Sequence, residues 1–229
     1  MFEHKLKDST AESPNSQGYE YLVQQQKYLE SGIHIGTKVK FVNKSWFVYK
    51  EREDGLYVLD IKKIDERLRI VSKVLARYKP EEILITASRH YSSIAAKTFS
   101  KLTGVKVLSG RYLPGTISNL QSSNRVEPRV MFICDPKGER QAVLEAGKHG
   151  IFTIGLVDTD NSMEYIDLII PCNNKGKKSL SLIFWILARE YMLARGMIKN
   201  ADEFSVDIKE FESSQVQSNI SASSSSSKA

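Results

Sequence analysis

Cysteine and histidine are scarce, with only two and four respectively among 229 residues. Cys134 and Cys172 are too few and too far apart for a disulfide framework or a Cys-x-x-Cys metal knuckle, which fits a reducing compartment. The histidines never fall three or four residues apart, so no helical face offers a metal pair, and no Ser-His or Cys-His triad pattern can be placed. Long apolar runs are missing too. None approaches the roughly 18 residues of a membrane span, and the opening "MFEHKLKDST" lacks the apolar centre of a signal peptide. Glycine is absent where a dinucleotide fold requires it, since "ITASRHYSS" after the first sheet strand contains none. A phosphate-binding P-loop fails at "PCNNKGKKSL", because Pro171 stands where its first glycine belongs and Lys178 where its Ser or Thr belongs. No repeat with a period of about 20 to 50 residues occurs. These absences predict a soluble cytoplasmic protein with no metal, no cofactor, no membrane contact and no small-molecule substrate.

What is present is a basic centre between acidic ends. The chain carries a net charge of +6, yet residues 31–200 hold 28 basic and 17 acidic side chains. That surplus favours a polyanionic partner. Residues 1–18 are polar and aperiodic and read as a disordered arm; residues 19–200 read as a single domain; residues 201–229 read as a Ser-rich disordered tail, too poor in apolar residues to offset its ordering entropy.

Between the ends the pattern alternates. "YEYLVQQQKYLESG" predicts a short helix closed by Gly32, and Asp54-Gly55 between β-rich runs predicts a hairpin. Apolar residues at helical spacing from Ile61 to Tyr78 predict a helix ended by Pro80. Five short apolar runs follow, "EILITAS", "VKVLSG", "VMFICDP", "FTIGLV" and "DLIIPC", with helical patterns at 91–103, 138–149 and 178–195. Such runs between helices predict a five-stranded parallel sheet covered on both faces, a three-layer α/β domain preceded by a helix and a β-hairpin. The link between the last two strands leaves room for about one helical turn. The last helix is apolar nearly all round, so it must be buried, with Trp185 in the core.

In such a sheet the loops after the strands share one edge, where these folds place ligands. Four of the five loops here carry Lys or Arg. "VDTDNS" resembles the aspartyl nucleophile strand of haloacid-dehalogenase-type phosphatases, which keeps open a phosphate-ester-using enzyme. The match ends at Ser162, with no place for that family's flap or its magnesium-holding carboxylates, so Asp158 and Asp160 read as an Asx-type turn. The charge pattern remains. Lys175, Lys177 and Lys178 sit at a helix start, where the macrodipole disfavours cations unless an anion or solvent compensates them. Arg111-Tyr112 and Arg89-His90-Tyr91 pair cations with aromatics in loops, a combination suited to RNA. The expected phosphate contacts are Lys38, Lys40, Lys44, Arg89, Arg111, Arg125, Lys175, Lys177 and Lys178. A non-ribosomal protein–protein adaptor, with the basic face against an acidic partner, is the other alternative.

Six stretches, "ESGIHIGTKVK", "DGLYVLDIKKIDERLRI", "GRYLPGTISN", "EPRVMFICDPKGERQAVLEAGKHGI", "GLVDTDNSMEYIDLIIPCNNKGKKSL" and "LAREYMLARG", resemble in order and spacing the small-subunit ribosomal protein S2 family, in its archaeal form. The resemblance spans about Tyr21 to Gly196. It implies a flavodoxin-like fold with strand order 2-1-3-4-5 and no flavin. It also implies a structural, non-enzymatic constituent of the small ribosomal subunit that supports subunit assembly and translation, with ribosomal RNA and neighbouring small-subunit proteins as partners. "SNLQ", "DPKGER" and "SRHYSS" depart from the family pattern, all in loops.

Overall fold

The computed structural model describes residues 19–39, 46–119, 121 and 126–213. The arm at 1–18 and the tail beyond Ser213 lie outside them, as do Lys40, Lys44 and Arg125.

Helix α1 (Gln25–Ser31) ends at Gly32, whose φ of 66° is the left-handed conformation that glycine adopts without a Cβ penalty. Strands β1 (Val48–Glu51) and β2 (Tyr57–Leu59) pair antiparallel around Asp54-Gly55, as the turn dipeptide predicts. Helix α2 (Ile61–Leu75) starts where the Asp60 carboxylate accepts from the Lys62 amide at 3.0 Å. Its predicted apolar stripe is its buried side, with Ile64, Leu68, Val71 and Leu75 all inside. The helix stops at Leu75, short of Tyr78.

Strands β3 (Ile83–Ala87), β4 (Lys106–Ser109), β5 (Val130–Ile133), β6 (Phe152–Val157) and β7 (Leu168–Pro171) form one parallel sheet in the order β4-β3-β5-β6-β7. Counted among sheet strands, this is the 2-1-3-4-5 order that the resemblance implies. Alternation divides the strands between two cores. Ile85, Phe132 and Ile154 face a large core with α2, α3 (His90–Thr103) and α5 (Lys177–Ala194), whereas Leu84, Met131 and Ile133 face a smaller one with α4 (Arg140–Lys148), Tyr112 and Ile117. The β6–β7 link holds turns and no helix among residues 158–167. Within it Tyr165 has a φ of 60°, its ring lying over Gly147, where an added Cβ would come within 2.6 Å.

The domain does not end at residue 200. A 3-10 turn at Ala201–Glu203 and helix α6 (Ile208–Glu212) fold back over α5 and α3, burying Phe204 and Phe211. Two aromatic anchors on a short segment supply the apolar contact that the Ser-rich composition further on does not. This segment also answers what covers the all-apolar α5. Trp185 is consequently only partly buried, beneath the segment and outside the core: its indole N–H donates to the Val206 carbonyl at 2.7 Å and its ring meets Phe204 edge-on.

Candidate nucleic-acid interface

The C-terminal edge of the sheet collects the predicted cationic loops, but they divide into two kinds. Arg89 Nε lies 2.6 Å from the buried carboxylate of Asp135, whose other oxygen accepts from Asn161 at 3.2 Å. Lys175 Nζ stands between Asp160 at 2.9 Å and Asp158 at 3.3 Å, and Lys137 reaches Asp160 from the other side. Burial opposes charge on Asp160, but Lys175 and then Lys137 together hold its carboxyl below the usual range. Burial wins at Asp158, which is pushed up. Arg89 and Lys175 thus pair with carboxylates of the edge and tie its loops to one another, while the Arg89 side chain stays 43% exposed.

The Asp158 carboxylate accepts from the adjacent Thr159 amide at 2.6 Å, and it and the Asp160 carboxylate converge on Lys175. With its side chain 1% exposed, Asp158 lacks the open position of a nucleophile. Cys134 and Cys172 are fully buried, and burial raises both thiols well above their ordinary value, so neither supplies a thiolate. Among the described residues no three His, Cys, Asp or Glu groups converge as a metal site, and no helix is long and apolar enough to cross a membrane.

Lys38, Arg111 and Lys178 are exposed and have no ion pair among the described residues, while Lys177 reaches Glu212 loosely at 3.6 Å. Arg111 follows β4 and Lys178 follows β7, the two outer strands. Five strands spaced by about 4.8 Å put these cations about 20 Å apart along one edge. Lys38 joins the edge beside the end of β6, because the Thr37 amide and hydroxyl bond to the Thr159 hydroxyl at 3.0 and 2.8 Å. Gly36 permits that approach: a Cβ there would sit 2.9 Å from the Thr159 methyl and 3.0 Å from the Tyr57 carbonyl.

The asparagines of "PCNNKG" are internal. Asn173 Oδ1 accepts from the amides of Lys175 and Gly176, both at 3.1 Å, and its Nδ2 donates to the Gly32 carbonyl. Asn174 is fully buried and donates to the Leu156 carbonyl at 3.0 Å. The loop that carries the lysines is therefore tied to α1 and β6.

The model of one family, "Ribosomal protein S2", matches residues 28–127 and 122–194. This chain belongs to the ribosomal protein S2 family. A small ribosomal subunit protein uS2 of Pyrobaculum calidifontis is 47% identical over 201 residues, covering 87% of this chain and 97% of the relative. That of Pyrobaculum aerophilum is 48% identical over 202 residues, with the same coverage, and that of Saccharolobus solfataricus 46% over 198 residues, 86% of each chain. All three relatives are archaeal, in keeping with the form the motifs resemble. The S2 family is a structural component of the ribosome, not an enzyme family.

A second cationic surface of this S2 protein escaped the sequence reading. Trp46, 36% exposed, has Lys63 Nζ 5.5 Å and the Arg67 guanidinium 5.0 Å from its ring centroid. Trp46 stands in "NKSWFVYKER" whereas Lys63 and Arg67 belong to α2, so no local pattern in the sequence joins them.

Proposed function

We propose that this protein is a structural constituent of the small ribosomal subunit, located in the cytoplasm within that particle, where it binds ribosomal RNA and neighbouring ribosomal proteins. The observation that carries this reading is near-complete coverage of relatives named small ribosomal subunit protein uS2, at close to half identity. The exposed cations support an electrostatic mode in which phosphates are neutralised without regard to sequence. On this reading Lys38, Arg111, Lys177 and Lys178 meet RNA backbone, joined by Lys40, Lys44 and Arg125. Arg89 and Lys175 hold the edge in shape.

Charge reversal tests the placement. Small subunits carrying Lys177→Glu with Lys178→Glu should release the protein at lower salt than wild-type subunits, because each lost phosphate contact removes released counterions. Release at the same salt would place the RNA elsewhere.

A further inference from the structure

A cleft of about 710 Å³ opens between α1, the β1–β2 hairpin and the start of α2, away from the sheet edge. Its volume falls within the range of about 300 to 1,000 Å³ typical of small-ligand pockets. Tyr19, Tyr21, His34 and Tyr49 line it, with Lys50 and Lys62 beside them. Three features make it a built site. First, pairing between β1 and β2 shifts register between Val48 and Lys50, so Tyr49 is the extra residue of a bulge. A bulge re-aims its side chain, and Tyr49 stands 65% exposed at the cleft. Second, the opposite wall is rigid: Tyr19 donates its phenol hydroxyl to Asp65 at 2.9 Å and packs edge-on against Tyr21 at 4.8 Å. Third, cations outnumber anions there: Lys50, Arg52 and Lys62 face one lining carboxylate, Asp60, which accepts from the α2 amide of Lys62, and Arg52 pairs with Asp54. Lys50 is exposed with no ion pair among the described residues, as is Lys62, which stands 5.1 Å from the Tyr19 ring centroid. Burial keeps the His34 imidazole biased toward its neutral form, so the positive charge at the rim is that of the lysines.

Aromatic faces between unpaired ammonium groups match a nucleobase and its phosphates. We propose that this cleft holds one unpaired nucleotide of ribosomal RNA, its base against Tyr49 and its phosphates on Lys50 and Lys62. The proposal rests on the ribosomal reading above and adds a single-stranded contact away from the sheet edge.

The test uses small subunits isolated from cells in which the tagged full chain carries a photoreactive phenylalanine at position 49, with the same group at Lys178 for comparison. Irradiation should join position 49 to small-subunit RNA at one nucleotide, read as a single reverse-transcription stop. Lys50→Glu with Lys62→Glu should reduce that stop on the order of tenfold or more, because two phosphate contacts are lost and two charges reversed. Linkage of position 49 to a protein alone, or no RNA linkage there while position 178 links to RNA, overturns the proposal and leaves the ribosomal reading standing. A tagged chain absent from small subunits overturns both.

Discussion

Asp65 shows how much a single carboxylate organises. It is fully buried on α2, and its oxygens accept from the Tyr28 hydroxyl at 2.7 Å, the Leu22 amide at 2.8 Å and the Tyr19 hydroxyl at 2.9 Å, with Arg69 at 3.3 Å. Burial and this carboxylate together push the Tyr19 phenol up to about 12. Asp65→Ala strands three donors and a guanidinium, so unfolding in urea should show a loss of about 3 kcal/mol. A change under about 1 kcal/mol would mean that the N-terminal segment contributes little to the fold. Glu139 makes the opposite case. Burial raises its carboxyl to about 7, outweighing hydrogen bonds from the Thr86 hydroxyl and the Ser88 amide. An unfolded Glu titrates near about 4.3, so between there and about 7 the folded chain keeps a proton that the unfolded chain has lost. The stability contributed by this proton is full below that window and declines as pH rises through it. Glu139→Gln should therefore gain on wild type by a few kcal/mol between about pH 4.5 and pH 8, with the gain complete above the folded value. A difference independent of pH would contradict the buried, proton-holding carboxyl. Neither role was legible in the sequence, since the hydroxyl and amide donors to Asp65 lie 37 to 46 positions away, with only Arg69 nearby at four, and those to Glu139 lie 51 to 53 away.

At the level of elements, legibility follows the locality of the cause. Asp54-Gly55, Gly32 and the helical apolar spacing of α2 are local signals, and each element forms where they stand. The five apolar runs announce a covered parallel sheet because strands buried on both faces have no polar alternation to confuse them. What was lost is α6, five residues with an Asp207 cap that are too short to hold a helix without the surface of α3 and α5. Phe211 anchors it at 1% exposure, and Thr98 on α3 donates to the Glu210 carbonyl. Phe211→Ala should cost about 3 kcal/mol in thermal or chemical unfolding and release Trp185 from Val206, shifting its emission to the red. Unchanged stability and emission would mean that the segment is not part of the domain. The same non-locality divided the site: the sequence could list its cations, but only the fold shows that Arg89 and Lys175 are paired with Asp135, Asp158 and Asp160 while Arg111 and Lys178 are not.

For the whole molecule, the basic surplus of residues 31–200 and the sheet edge agree with an RNA-facing scaffold, and belonging to the ribosomal protein S2 family makes that RNA ribosomal. Charge alone leads only to a polyanion binder, because phosphate recognition carries no record of which phosphate. The most direct test of the account is sedimentation of the tagged full chain from a lysate of its own cells, followed by a moderate salt wash. The protein should travel with the small subunit and stay there. Its recovery with the soluble fraction alone, or with a different particle, would contradict the account.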